Sequence, residues 1–318
     1  MTTKKLPVLT TLLMALLGAA CGDDATPAKA AVAPAGDTAT ASFPVTITNT
    51  AGPVTIATRP QRVVSITPTG TEMLFALGAG PKVVAVDDFS NFPAGAPKTA
   101  LSGFNPNVEA IAAYKPDLVV ANDDRQELVS KLGQLKIPTL LEPSARSLDD
   151  SYAQIAQLGQ ATGHVPEATA VVARMKGDIA ALVAGVVKRD PAPTYFHELD
   201  DTLYTATSKS FIGQIYALAG LRNIADDADD GSGFPQLTAE ALLKTDPDFI
   251  FLGDTKCCRQ TPETVAARPG FASLAAVKQG RVVGLDDDIA SRWGPRVVEL
   301  LRVVTEAVAR FAPPVPVG

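Results

Sequence analysis

The chain has 318 residues, 46% of them apolar and 19% charged, with a formal net charge of −6. Such a composition supports one large core or two smaller ones and carries no mark of a disordered chain. Lys and Arg are scattered rather than clustered, which excludes the basic footprint of a nucleic-acid binder.

The first twenty residues are a separate object. Lys4 and Lys5 precede an apolar stretch from Leu6 to Leu17 and a small-residue run ending at Cys21, the layout of an export signal. The stretch is short for a membrane span, which takes about 20 residues. It resembles a lipoprotein signal in which residues 1–20 are removed and Cys21 is acylated, although Gly18 stands where a larger apolar residue is usual; an ordinary secretory signal is the alternative. Residues 21–43, rich in Ala, Pro, Thr, Gly and Asp, read as the lipid anchor and a flexible tether. The folded body is expected to start near Phe43, with an edge hairpin over FPVTITNTAGPVTIAT turned at Ala51 to Pro53.

From Arg62 onward, short apolar runs alternate with helical stretches. The predicted strands are RVVSI from Arg62, KVVAV from Lys82, DLVVA from Asp117, TLLEP from Thr139, TYFHEL from Thr194, DFIFLG from Asp248 and RVVGL from Arg281. Continuous apolar strands separated by helices argue for parallel sheets covered on both faces, so the fold class is α/β. VEAIAAYKPDLVVAND (Val108 to Asp123) aligns without a gap with AEALLKTDPDFIFLGD (Ala239 to Asp254), pairing Glu109 with Glu240 and Pro116 with Pro247. This echo predicts two lobes of similar build, an N-terminal one over 44–146 and a C-terminal one over 191–318. Between them, 147–190 reads as a long helical connector broken at Thr162 to Val165, whose second helix of about 22 residues forms a stiff strut of roughly 33 Å.

Taken together, the export segment, tether, two lobes and helical connector resemble the substrate-binding lipoproteins of ABC importers that handle iron-siderophores, haem and cobalamin. The resemblance covers about residues 60–310. It rests on RVVSITPTGTEMLFALGAGPKVVAV, KPDLVV, SFIGQIYALAGLRNI, LTAEALLKTDPDFIF and GPRVVELL in that order. It implies a ligand cleft between the lobes, no enzyme activity and no resident cofactor. It also implies a monomer that hands its cargo to an ABC permease dimer with its ATPase, exported and lipid-anchored at a membrane. In the family an exposed rim glutamate on each lobe docks onto permease arginines, and the matched positions are Glu72 in TPTGTE and Glu240 in LTAE. Both also suit a first helical turn beside Thr69, Thr71 or Thr238, so a plain capping role stays open.

Residues after each predicted strand define the expected ligand rim: Thr67, then Asp87, Asp88 and Phe89, then Asn122, Asp123, Asp124 and Arg125, then His197, Glu198, Asp200 and Asp201, then Asp254 and Lys256, then Asp286 and Asp287. Thr67, Asp88, Phe89, Asp124, His197 and Asp201, with Tyr204, are the ligand contacts expected among them. The segment DDDIASRWGPR adds Asp288, Arg292 and Trp293, and resembles the ligand-contacting segment of cobalamin-binding relatives; an ion pair four residues apart beside a core aromatic is the other reading. Phe92 and Phe196 are further candidates for flat apolar surface. The acidic rim favours neutral or cationic chelates over a ferric tris-catecholate, with cobalamin slightly ahead of a ferric hydroxamate siderophore. Haem or a free metal ion is the alternative, although only His164 and His197 are available as imidazoles. A secreted hydrolase would need a nucleophile elbow, and no G-x-S-x-G occurs. Finally, Cys257 and Cys258 are adjacent; in an oxidising compartment a vicinal disulfide is expected, with two free thiols or a zinc pair as alternatives.

Overall fold

The computed structural model describes residues 42–311; the export segment, Cys21 and residues 22–41 of the tether lie outside them. Strands β1 (Val45–Asn49) and β2 (Gly52–Ile56) pair antiparallel, Val45 opposite Ile56. Their turn falls at Thr50 and Ala51, earlier than the proline suggested. The Asn49 side chain accepts from the Ala51 amide at 2.7 Å, and Gly52 takes the positive φ of 108° that closes the turn. Pro53 is therefore inside β2, opposite Thr48.

The N-terminal sheet comprises β3 (Val63–Ile66), β4 (Val83–Val86), β5 (Leu118–Ala121) and β6 (Thr139–Leu141), all parallel, in the order β4-β3-β5-β6. Helices α1 (Pro68–Ala76), α2 (Val108–Ala113) and α3 (Leu128–Gln134) supply the crossovers. Next come α4 (Leu148–Thr162) and α5 (Val165–Ala184), then β7 (Thr194–Glu198), α6 (Phe211–Leu218) and β8 (Arg222–Asn223). The chain continues through α7 (Ala239–Thr245), β9 (Phe249–Leu252), α8 (Pro262–Ala266), α9 (Ala275–Lys278), β10 (Val282–Gly284), α10 (Asp287–Ser291) and α11 (Val297–Arg310). The second sheet is also parallel and runs β8-β7-β9-β10.

The two sheets are thus the same design, with β3, β4, β5 and β6 answered by β7, β8, β9 and β10. Local chemistry repeats with the topology. Asn107 and Thr238 cap α2 and α7 through the amides of Ala110 and Ala241. Each helix is followed by a residue forced to positive φ, Lys115 at 50° and Asp246 at 42°, just before Pro116 and Pro247. A proline bars further helix at the residue before it, so the chain must turn there. Asp117 and Asp248 then tie the start of the neighbouring strand: Asp117 accepts from the amides of Gln61 and Arg62 at 2.7 and 2.9 Å, and Asp248 from the Thr194 amide at 2.8 Å. The echo in the sequence encodes one strand-start clamp, used twice.

The connector is a pair of packed helices that meet between Thr162 and Val165. Ser147 and Asp150 form a capping box at the start of α4, and Gly163 ends it at φ 74°. The short link through His164 lets α5 pack back on α4, and α5 stops at Ala184 because Gly185 caps it. Its 20 residues span about 30 Å. One apolar core joins a face of each sheet through α4, α5 and α11, for example Val63, Leu118, Ile155, Met175, Tyr195, Phe249 and Leu301. The outer faces have cores of their own, with Val64 and Val119 in one and Phe196 and Ile250 in the other. A shared core between lobes resists wide hinge opening, because close-packed side chains do not slide independently.

Candidate functional site

A cavity of about 520 Å³ opens at the carboxyl ends of the N-terminal strands, where open parallel sheets place ligands. Its floor is built by residues just beyond each strand: Thr67 after β3, Asp87 after β4, Asn122 and Asp123 after β5, and Ser144 beyond β6. Phe89, Phe104 and Arg125 form one wall. Asp288, Ser291, Arg292 and Trp293, in and just after α10, close it from the other lobe.

The wall is aromatic and largely pre-formed. Phe89 and Phe104 meet edge to face, centroids 5.6 Å apart at 87°, and Phe104 is 66% exposed toward solvent. Arg125 lies over the Phe104 ring at 5.6 Å while its Nε donates to Asp123 at 2.8 Å. Trp293 is oriented by its Nε1, which donates to the Gln154 side chain of α4 at 2.7 Å; its carbonyl accepts from Ser151. The only tryptophan of the chain is therefore held against the cavity by the connector.

Behind that wall lies a buried ion cluster that crosses between lobes. Glu72 is 3% exposed and sits in α1, whose Thr69 to Leu74 stretch is wholly buried. Its carboxylate accepts from Arg292 Nη1 at 2.7 Å and from Arg296 Nε and Nη2 at 3.0 and 2.5 Å. Arg292 also donates to the Phe89 carbonyl at 2.9 Å, the Asn91 side chain at 3.0 Å and Asp288 at 2.6 Å. Arg296 in turn stacks on Phe92 at 4.1 Å. Asp288 has a second partner in Lys256, 2.8 Å away. Burial works against ionisation of Asp288, but Lys256 and Arg292 outweigh it and hold its carboxyl below the usual range.

These positions correct several expectations. Glu72 is no rim residue: two arginines from the other lobe consume it. Glu240 is exposed in the first turn of α7, as expected, and its counterpart in the repeated design is the exposed Glu109 of α2. Thr67, Phe89, Asp288, Arg292 and Trp293 line the cavity; Asp88, Asp124, Asp201 and Tyr204 do not. Asp124 instead accepts from the Val129 amide at 2.8 Å, ordering the start of α3. His197 is buried in β7, its Nδ1 2.8 Å from the Tyr216 hydroxyl, and burial lowers its pKa to about 4. Phe196 belongs to the core of the second lobe. Asp87, Asn122, Asp123 and Arg125, which stand in the sequence just behind the strands β4 and β5, also line the cavity, whereas Phe104, Ser144 and Ser291 carry no such signal and were missed.

Cys257 and Cys258 are exposed free thiols, and no disulfide joins them. The Cys258 amide donates to the Asp254 carbonyl at 3.2 Å, so the stretch winds as a helical turn. That backbone sends successive side chains about 100° apart rather than into the tight ring a vicinal bridge needs. Partial desolvation beside the loop, the Cys258 sulfur and the Asp287 carboxylate push the Cys257 thiol up to about 12.

The fold and cleft define a two-lobed binding protein, and residues 63–289 match a family described as periplasmic binding protein, to which the chain belongs. It is 31% identical over 307 residues to an ABC transporter substrate-binding lipoprotein of Bacillus subtilis, covering 93% of this chain and 94% of that protein. It is 33% identical over 269 residues to a cobalamin-binding protein of Halobacterium salinarum, covering 81% and 72%. Among solved structures, the periplasmic vitamin B12 binding protein BtuF of Vibrio cholerae superposes with a TM-score of 0.66 at 25% identity, covering 80% of this chain and 99% of that one. The chain is the substrate-binding component of an ABC importer, working outside the cytoplasm. Among the described residues no helix is long and apolar enough to cross a membrane.

Proposed function

We propose that the protein captures a neutral or cationic metal chelate between its lobes, with cobalamin ahead of a ferric trihydroxamate, and delivers it to a permease dimer. One observation carries this reading: each guanidinium lining the cavity is already paired with a carboxylate, Arg125 with Asp123 and Arg292 with Glu72 and Asp288. Among the described residues no cavity cation is left over for a polyanionic ligand, whereas Phe89, Phe104 and Trp293 offer flat apolar surface to a macrocycle. The similarity to cobalamin-binding proteins supports the same choice. Haem is less well served, because no His, Met or Tyr among the described residues lines the cavity.

Delivery is assigned to Glu109 and Glu240, the exposed first-turn glutamates at equivalent places in the two lobes. Acylation of Cys21 would tether the protein to the membrane beside its permease; with two or more acyl chains that anchoring is stable. Binding rather than catalysis is the activity throughout, and no resident cofactor takes part. The test is titration of the purified chain with cyanocobalamin, ferrioxamine B, ferric enterobactin and haem. Tight binding of one of the first two is expected.

A further inference from the structure

The four N-terminal strands end side by side in the order β4-β3-β5-β6, so the residues just beyond them, Asp87, Thr67, Asn122 and Glu142, stand in a row beneath the cavity. Most polar groups so deeply placed find a partner inside the protein. Here several acceptors do not. Asn122 lines the cavity and its Oδ1 is buried without a donor, and both carboxyl oxygens of Glu142 in the adjoining strand position lack one too. Burial raises the Glu142 carboxyl well above its usual range.

Asp87 is the member of the row that reaches the cavity with a carboxyl. It is 2% exposed and lines the cleft. A chain of buried hydroxyls braces one of its oxygens: Ser90 Oγ donates to Asp87 Oδ1, Thr71 Oγ1 lies 2.9 Å from Ser90 Oγ, and Thr71 donates to Ser65 Oγ at 2.9 Å. Its other oxygen, Oδ2, points to where a side chain on Gly103 would stand: a Cβ there would come within 3.5 Å of Oδ2 and 2.5 Å of the Ile66 carbonyl. Glycine at 103 keeps that approach open. Among the described residues no lysine or arginine lines the cavity unpaired to neutralise Asp87, so a group that reaches it must bring its own donor.

We propose that Asp87 and Asn122 form an acceptor subsite on the cleft floor that takes an N–H donor group of the bound chelate. The inference deepens the chelate reading and rests on it. Two ligand sources share this chemistry, the carboxamide arms of a corrinoid and the terminal ammonium of a linear trihydroxamate. A site built to accept hydrogen bonds rejects an analogue whose donor is replaced by an acceptor, because the buried acceptors are then left unpaired or repelled.

The experiment replaces that donor. Calorimetric titration would compare cyanocobalamin with its isomeric monocarboxylic acids, in which one carboxamide has become a carboxylate. A second arm compares ferrioxamine B with its N-succinyl derivative. The chelate that binds identifies the source of the donor, and at least one of its carboxylate forms should bind about tenfold to a hundredfold more weakly. Asp87→Asn presents an N–H₂ group of its own and should shrink that penalty to about twofold; Asp87→Ser serves the same comparison if the first variant does not fold. Equal affinities in the unmodified protein, or a penalty unaltered in both variants, would overturn the subsite while leaving chelate binding intact. Failure of both chelates to bind would overturn the chelate reading and the subsite with it.

Discussion

Arg292 Nη1 donates to Glu72 Oε1 at 2.7 Å across the boundary between the two lobes, from a position 220 residues away in sequence. Both side chains are almost wholly buried, and Arg296 completes the cluster on the same carboxylate. Removing one member of such a cluster is costly because the partners stay buried and uncompensated, typically by about 3–5 kcal/mol. Glu72→Ala should therefore lower the free energy of unfolding by roughly that amount in urea titration. A loss near or below 1 kcal/mol, the scale of an exposed first-turn charge, would show that the cluster does not form.

The docking assignment makes a different pattern of loss. Glu109 and Glu240 are exposed and paired with nothing among the described residues. Charged rim contacts chiefly govern encounter and register between partners. Glu109→Ala combined with Glu240→Ala should leave chelate affinity within about twofold and cost at most about 1 kcal/mol of stability from the lost helix-start charges. Transport into cells should fall to background. Uptake at the unmodified rate would refute the assignment.

Two buried groups in the second lobe give stability opposite pH trends. Asp254 is fully buried, and burial followed by the nearby Glu198 carboxylate raises its pKa to about 7; Arg268 opposes and Asp287 reinforces the shift. Between 3.8 and about 7 the folded chain keeps this proton while the unfolded chain releases it, so the contribution of Asp254 to stability falls as pH rises. His197 runs the other way. With its pKa lowered from 6.5 to about 4, it stays neutral when folded while the unfolded imidazole takes a proton, so its contribution grows as pH rises through that window. The Tm of Asp254→Asn should gain on the unmodified protein between pH 4 and pH 7, and that of His197→Gln should lose ground between pH 4 and pH 6.5. Parallel Tm profiles for all three proteins would contradict the assigned protonation states.

Much of the scaffold is legible in the sequence because the signals are local. Seven of the eight strands in the two sheets coincide with apolar runs rich in Val, Ile, Leu and Phe, and only β8, two residues long, leaves no such trace. The repeat is readable through Pro116 and Pro247, since the turn chemistry is written into both copies. The site is less legible because its parts are decided at long range. A glutamate opening a helix looks the same whether it meets solvent or two arginines from the end of the chain, which is why Glu72 reads as a rim residue. The pairing of Glu109 with Glu240 already stands in the echo, yet nothing local marks Glu109 as the exposed one. His197 keeps to the pattern of a buried strand, but its polar type suggests a rim. Phe104 lies in a loop whose course is set by the Asp88 amide bonding to the Leu101 carbonyl at 2.8 Å, a contact no spacing rule predicts.

The thiol pair offers a further check on the loop beside the cleft. With the Asp254 to Cys258 turn formed, Cys257 and Cys258 should remain separate thiols. Because the Cys257 thiol is pushed up to about 12, its thiolate is scarce and alkylation at pH 8 should be slow. Mass spectrometry after alkylation under denaturing, non-reducing conditions should find both residues modified. A bridged peptide lacking two hydrogens would contradict the loop geometry.

The most direct measurement of the central claim is the fluorescence of Trp293 during titration with cyanocobalamin, because the chain has no other tryptophan and this one lines the cavity. Cyanocobalamin bound between the lobes should quench the emission saturably, with a one-to-one stoichiometry and a dissociation constant in the micromolar range or tighter, and ferrioxamine B is the ligand to try next. Ferric enterobactin should leave the emission unchanged at equal concentration. Saturable quenching by the tris-catecholate complex, with none by cyanocobalamin or ferrioxamine B, would contradict a cleft whose guanidinium groups are already spent on its own carboxylates.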